Sequence, residues 1–520
     1  MFLSQPLLDV LAGRGIDDID SFLRVPSWND LVDPLSISGM AGALDRVLVA
    51  VREQQRVAIF GDYDCDGVLG AHILRAILAS LGVQACTYLP HRDEGYGLNP
   101  TAVHKFSLAG TDLLITVDNG INAQKEVHLA KRLGIDVIVI DHHRIQERSD
   151  ASAVWSPEYC GAGLAALFAW GLAGRAGWND TRQERLLSAV SQYAAIASIA
   201  DCVPLVNGTR TLARLGMGAL AQTQHCGMRE LLRASCADPL RPDSNDLGFG
   251  VAPRINAAGR VDHPSLALAV FEAARNEEDA KKRVEALNQL NQKRREIVAV
   301  QFDELCADIA KPLPAGLVVY RDSCPKGILG LIAARCVERF SVPTIVLAPS
   351  TTPGIAVGSG RSFAGFDLVD GLERFRSSFM RFGGHAQAAG LTMQLAHVED
   401  FARQFADFVG SLKLPRGQTL RADGELVLST VGKQFDEQLA LLEPFGEGNP
   451  APVFRLRRVE IARVKDRWIR IRHGRFTFEA LGWDLAPKQG MRGECLIEFR
   501  GKRRILREFH EEGRFIPKSV

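Results

Sequence analysis

Four short strand-like runs, at 57–60, 85–90, 113–117 and 136–140, alternate with helical patterns at 41–53, 68–81 and 123–133. Runs this short and this apolar, separated by helices, are what strands buried on both faces of a parallel sheet require. In such open α/β sheets, ligands bind beyond the carboxyl ends of the strands. The residues that follow each run are therefore where chemistry is to be sought.

The first run leads straight into Asp62-Tyr63-Asp64-Cys65-Asp66-Gly67. Three carboxylates at alternate positions repel one another unless a cation lies between them, and hard divalent cations prefer oxygen ligands. The same turn could simply cap the next helix, since Asp is common at N-caps. Three Asp and a Gly are more than a cap needs. The third run ends in Asp118-Asn119-Gly120, the fourth in Asp141-His142-His143, and a helix at 186–199 runs into Asp201. Taken singly, these read as a turn, two loop histidines and a helix cap. Together they place acidic and imidazole donors on one sheet edge, with a further Asp after a helix, which favours a metal centre. Mixed Asp and His donors suit manganese or magnesium better than a thiolate-preferring metal. Two such cations about 3.5–4 Å apart would clamp a phosphodiester, activate a water and neutralise the leaving oxygen. His142 reads as a ligand, and His143 as a group touching the scissile phosphate.

These four segments resemble the ordered motifs of the DHH phosphoesterase superfamily. The resemblance implies two metal ions held by Asp62, Asp64, Asp66, Asp118, His142 and Asp201, with Asp64, Asp118, His142 and His143 as the catalytic set.

The remaining segments offer phosphate ligands. In the loop 90–99, Arg92 either holds a phosphate or belongs to a surface loop around a buried Tyr96. Arg254 and Arg260 flank small residues and Asn256 in what reads as a phosphate-binding turn. A long helix ending near residue 310 links to a second α/β domain, and its Lys293-Arg294-Arg295 run reads as a solvated face. That domain carries Gly358-Ser359-Gly360-Arg361-Ser362 and the Gly/Ala-rich turn 382–390, where Gly383 and Gly384 leave room for a nucleotide beside His385. Alone, the second stretch equally suits tight helix–strand packing. In company with the metal motifs it resembles the DHH-associated domain, which implies that Ser359 and Arg361 receive phosphate.

From about residue 420 the pattern changes to five or six short alternating strands, as in a small barrel of the OB type. Residues 455–520 carry 18 Lys/Arg against 9 Asp/Glu, although the whole chain of 520 residues is only +1. A basic barrel points to a polyanionic partner. Its aromatics read mostly as core.

With 444–454, the motifs together resemble the RecJ family of single-strand-specific exonucleases, over residues 40 to 500. The family implies 5′→3′ digestion of single-stranded DNA to 5′-mononucleotides in recombination and repair. It also implies helicase and single-strand-binding protein as partners and a monomer. The domains expected are a helical lead-in at 1–40, a DHH catalytic domain at 41–264, connecting helices at 265–312, a DHH-associated substrate-binding domain at 313–415 and an OB-fold at 416–520. The sequence departs from the family at Cys324-Pro325-Lys326-Gly327, where a Trp-His pair is usual before the Gly, and Lys326 stands as its substitute. Short-oligonucleotide or cyclic-dinucleotide phosphodiesters are the alternative substrates, and a non-catalytic strand-binding relative is the alternative outside enzymes. Ten scattered cysteines without a CxxC pair argue against a zinc ribbon or a disulfide framework. With no leader-like N-terminus and no apolar stretch of ~20 residues, a cytoplasmic protein without a membrane span is expected.

Overall fold

A computed structural model of the protein describes residues 3–146, 151–273, 275–309, 312–412, 414, 421–482, 487–511 and 514–516. Its first sheet contains β1 (Val57–Gly61), β2 (Cys86–Tyr88), β3 (Leu113–Val117), β4 (Asp136–Asp141) and β5 (Ser152–Trp155). The strands are all parallel, in the order β2-β1-β3-β4-β5. Every residue of β1 and β3 is buried, as their continuous apolar sequences require. The last strand, β5, escapes sequence reading because it is four residues long and only Val154 is buried.

Helices cover both faces. Met40–Arg52, Cys65–Ser80, Gly161–Arg175 and Asp180–Ala200 enclose the larger core, while Pro100–Leu108 and Gln124–Arg132 enclose the other. The chain leaves β1 for β2 on one side and returns to β3 on the other. This strand order opens a crevice at the carboxyl ends of β1 and β3, the switch point of the sheet.

A 32-residue helix, Glu277–Asp308, leads to the second domain. There β6 (Leu317–Tyr320), β7 (Thr344–Pro349), β8 (Ile355–Arg361), β9 (Phe379–His385) and β10 (Ala388–Gln394) form a mixed sheet in the order β6-β7-β8-β10-β9. The Gly/Ala-rich stretch expected as a turn is largely strand. Gly383, Gly384 and His385 end β9, and the hairpin to β10 turns at Ala386 and Gln387. Similarly, Arg254, Asn256 and Arg260 lie on a helix, Ala252–Val261, rather than in a turn. Pro253 does not interrupt it, because it sits in the first helical turn, where its missing N–H is tolerated.

After β11 (Gly424–Glu425), strands β12 (Val453–Lys465), β13 (Trp468–His473), β14 (Phe476–Gly482), β15 (Arg492–Arg500) and β16 (Arg503–Glu511) close a barrel. The ring runs β12-β13-β14-β16-β15 and back to β12, with β14 and β16 parallel at the closure. A further strand, β17 (Arg514–Ile516), pairs antiparallel with the end of β16. β12 is one long strand rather than a short one, bent where the register shifts between Leu456 and Val459. Arg458 takes a positive φ of 53° at the bend.

The N-terminal helix Gln5–Gly13 is not a lead-in to the first domain. Leu7, Val10 and Leu11 are buried in the barrel's core, and the Ser4 N–H donates to Gln438. The segment 444–452 then clasps the barrel to the catalytic domain. Asn449 donates to the carbonyls of Leu442 and Pro444 and accepts from Arg14, while the Leu205 N–H donates to the Glu447 carbonyl at 2.7 Å.

Candidate active site

Asp62, Asp64 and Asp66 follow β1, and each is fixed differently. Asp64 is the N-cap of helix Cys65–Ser80, accepting from the N–H groups of Asp66 and Gly67. The capping and metal readings of this turn therefore coexist. Asp66 accepts from Gly161 N–H at 2.6 Å and Ala162 N–H at 2.7 Å, the first turn of helix Gly161–Arg175. The Asp62 Oδ1 is buried and has no hydrogen-bond partner. Gly67 is required because a Cβ there would lie 2.3 Å from the Asp62 backbone nitrogen. Asn256 anchors the turn from outside, its Oδ1 accepting the Cys65 N–H at 2.8 Å.

Asp118 follows β3 with a φ of 62°, a left-handed conformation that Asp tolerates. His142 follows β4. Its Nε2 lies 3.2 Å from Asp118 Oδ1, 3.5 Å from Asp201 Oδ2 and 3.7 Å from Asp66 Oδ2. Ligand-capable atoms converge in three overlapping groups: Asp62, Asp64 and Asp118; Asp66, His142 and Asp201; and Asp118, Asp141, His142 and His143. All six residues implied as ligands thus meet at the switch point, with Asp118 and His142 shared between groups.

The donor set fits hard divalent ions. Burial, reinforced by neighbouring carboxylates, pushes the carboxyls of Asp62, Asp118 and Asp201 well above the usual range. Without a cation these groups favour the protonated form, and a divalent ion relieves that conflict. The unpartnered Asp62 Oδ1 is the sort of orphaned buried oxygen that a cation satisfies. The nearby thiols of Cys65 and Cys160 are pushed up by burial, so they stay protonated and leave the site to oxygen and nitrogen.

Asp141, to which the sequence assigned no role, holds His143. His143 Nδ1 lies 2.7 Å from Asp141 Oδ1, and the other carboxylate oxygen accepts the Ile121 N–H. Burial alone would lower the His143 pKa, but the bond to Asp141 and its charge hold it at about 9. Tyr96 also reaches the site. It is partly exposed rather than buried, and its hydroxyl lies 3.0 Å from His143 Nε2 and 3.3 Å from the Asp118 carbonyl.

Both domains contribute cations beside the Asp62–Gly67 turn, Arg92 and Arg260 from the first and Arg361 from the second. Arg361 donates to Ser359 Oγ and the Gly360 carbonyl, Arg260 donates to the Gly327 carbonyl, and Arg92 donates to the Gly259 carbonyl. The Arg92 guanidinium also lies 3.8 Å from the centre of the Tyr63 ring. Desolvation and the neighbouring Arg92 and Arg361 lower Arg260 to about 9. Three guanidiniums gathered this closely suit an anion. Gly330 keeps this cradle open, since a Cβ there would sit 2.7 Å from an Arg361 nitrogen and 2.9 Å from Ser359 Oγ. His385 stacks near His143, with ring centres 6.0 Å apart, and Gly383 faces Gln146.

Arg254 differs from the other arginines. Its guanidinium donates to Asn288, to the Gly250 carbonyl and to the Ala234 carbonyl, each at 2.7 Å. It braces the helical subdomain and is not part of the cradle. Asn256, as noted, positions the metal turn.

Family models match three segments: the DHH family N-terminal domain over residues 56–199, the DHHA1 domain over 314–411 and the RecJ OB domain over 422–491. Among curated proteins, the single-stranded-DNA-specific exonuclease RecJ of Dickeya dadantii is 34% identical over 91% of this chain and 86% of its own length. That of Escherichia coli is 33% identical over 86% and 83%. That of Bacillus subtilis is 32% identical over 87% of this chain, which spans only 58% of that relative. Among solved structures, RecJ of Thermus thermophilus with Mn2+ superimposes with a TM-score of 0.81 at 26% identity, over 97% of this chain and 75% of the other. An exonuclease RecJ bound to manganese matches with a TM-score of 0.61 at 29% identity, over 73% of this chain and 96% of the other.

Proposed function

The chain belongs to the RecJ family of DHH phosphoesterases, and we propose that it is a metal-dependent exonuclease that digests single-stranded DNA from the 5′ end, releasing 5′-mononucleotides. The observation that supports the reading is that Arg92, Arg260 and Arg361 gather beside a cluster of metal-type donors. Asp62, Asp64, Asp66, Asp118, His142 and Asp201 would hold two Mn2+ or Mg2+ ions. When bound, these activate water and neutralise charge on the scissile phosphate.

The chain's own residues do the rest. Arg92, Arg260, Ser359 and Arg361 receive the terminal phosphate and so set how far the strand advances. His143, kept positive by Asp141, donates to a phosphate oxygen as negative charge builds. His385 and the backbone at Gly383 and Gly384 line the space for the terminal nucleoside. In this division of labour, residues 41–264 cut and share with 313–415 the reception of the strand end, and 416–520 grip the strand upstream, joined through 265–312. Among the described residues no helix is long and apolar enough to cross a membrane. Work in the cytoplasm as a monomer, alongside a helicase and a single-strand-binding protein, completes the proposal.

The test is digestion of 5′- and 3′-labelled strands with Mn2+. Mononucleotide release from the 5′ label, with blunt duplex spared, is expected. Digestion solely from the 3′ end, or equal cutting of duplex, would overturn the reading.

A further inference from the structure

One large aromatic near the metal centre has no part in the core or in the site described above. Phe249 is 65% exposed. It lies on a π-helical turn, Leu247–Val251, a rare local conformation that is frequent at functional sites. The turn packs on the helix that delivers Asp201. A Cβ on Gly248 would lie 3.2 Å from Ile199, two residues before that ligand.

The barrel reaches the same place. Its β15–β16 turn is docked on the catalytic domain, where the Lys502 N–H donates to Asp243 and Lys502 Nζ lies 3.2 Å from Asp238. The docking carries Arg500 over Phe249, with the guanidinium carbon 5.3 Å from the ring centre. Glu498, bonded to Arg500 and also paired with Arg507, fixes the orientation of Arg500. In barrels of this architecture the loop between the fourth and fifth barrel strands, here the β15–β16 turn, is one that binds oligonucleotides.

We propose that Phe249 and Arg500 form a stacking site for one nucleobase of the single strand between the barrel and the metal centre. The proposal rests on the exonuclease reading. A ring accepts any base on its face, which suits an enzyme without sequence preference, and a neighbouring guanidinium adds attraction for base and backbone alike. The guanidinium of Arg500 over an exposed ring offers two stacking faces, which suits a nucleobase better than an apolar protein segment.

The experiment uses the full chain in EDTA, so that no strand is cut. 2-Aminopurine is walked along a single-stranded oligonucleotide, and its fluorescence is read with wild-type, Phe249→Ala, Phe249→Tyr and Arg500→Ala proteins. Strong quenching at one or two adjacent positions is expected with wild type. It should be lost in Phe249→Ala and kept in Phe249→Tyr, with binding of long strands weakened about fivefold or more in the alanine variant. Dinucleotide hydrolysis with Mn2+ should stay unchanged in Phe249→Ala. The same quenching profile in Phe249→Ala as in wild type would overturn the proposal. So would loss of quenching that Phe249→Tyr fails to restore. Because the readout requires only binding, its failure is distinguishable from a failure to digest single strands.

Discussion

His143 Nδ1 lies 2.7 Å from Asp141 Oδ1, and the same carboxylate accepts N–H groups from Ile121, His142 and His143. Asp141 is thus occupied in orienting the motif that carries the imidazoles. Asn at this position keeps the shape but cannot hold an imidazolium. Asp141→Asn is expected to lower kcat about 10- to 100-fold, the usual cost of losing such an orienting partner. Strand binding in EDTA should be unchanged. Steady-state digestion of a labelled strand measures the first, and fluorescence anisotropy the second.

Asp118 and His142 belong to two donor groups each. Removing either disturbs both expected ion positions. Asp118→Ala and His142→Ala should each reduce cleavage at least about a thousandfold, several kcal/mol of transition-state stabilisation. Chelation of the wild type should do the same, and added Mn2+ should restore the wild type alone. Isothermal titration with Mn2+ should show weakened binding in both variants.

The metal edge was legible because each donor stands next to an unmistakable strand or helix end, so one-dimensional spacing became three-dimensional proximity. Asp141 stands in the same motif as the two imidazoles, and nothing in a sequence distinguishes a ligand from the residue that orients one. The N-terminal helix reads from sequence as a lead-in with no core of its own for a related reason. Its partners, Gln438 and Asn449, lie more than 400 residues away, and periodicity says nothing about which core a helix joins.

Arg254 and Arg361 look alike in sequence, yet Arg254 spends its donors on Asn288 and two carbonyls while Arg361 lines the cradle. Arg254→Ala should lower the melting temperature and leave KM for a 5′-phosphorylated strand unchanged. Arg361→Ala should leave the melting temperature nearly unchanged, raise KM tenfold or more and erase any preference for a 5′-phosphate, as expected when a charge-assisted contact of about 1.5–3 kcal/mol is lost. Thermal melts and kinetics on phosphorylated and unphosphorylated strands separate the two.

Cys324 is buried in the core of the second domain, and Lys326 two residues on bridges the crevice to Asp93 at 3.2 Å. An exposed pair of this kind contributes about 0–1 kcal/mol, so its value to stability is small. Lys326→Ala should therefore barely change the melting temperature. If Lys326 transfers to a DNA phosphate, the variant should bind strands more weakly and reduce the slope of log K against log salt by roughly 1. An unchanged slope would leave Lys326 as a latch without a role in binding.

Glu443 lies where the barrel meets the catalytic domain. Its Oε2 accepts from the Ser244 and Phe445 N–H groups, its Oε1 is buried without a partner, and Asp243 is nearby. Burial, with Asp243 adding to it, raises its pKa from 4.5 to about 7. The folded state therefore holds a proton that the unfolded chain releases at lower pH. Stability from this group is complete below about pH 4.5, falls as pH rises towards 7 and is level above that, a total change of about 3 kcal/mol at most. The metal carboxylates also titrate, so the wild-type curve alone does not isolate Glu443. Glu443→Gln retains the size and a hydrogen-bonding oxygen without the proton equilibrium. The difference in melting temperature between variant and wild type should widen in favour of Gln between pH 5 and 7.5, at constant ionic strength. A difference independent of pH would show that Glu443 keeps an ordinary pKa at the joint.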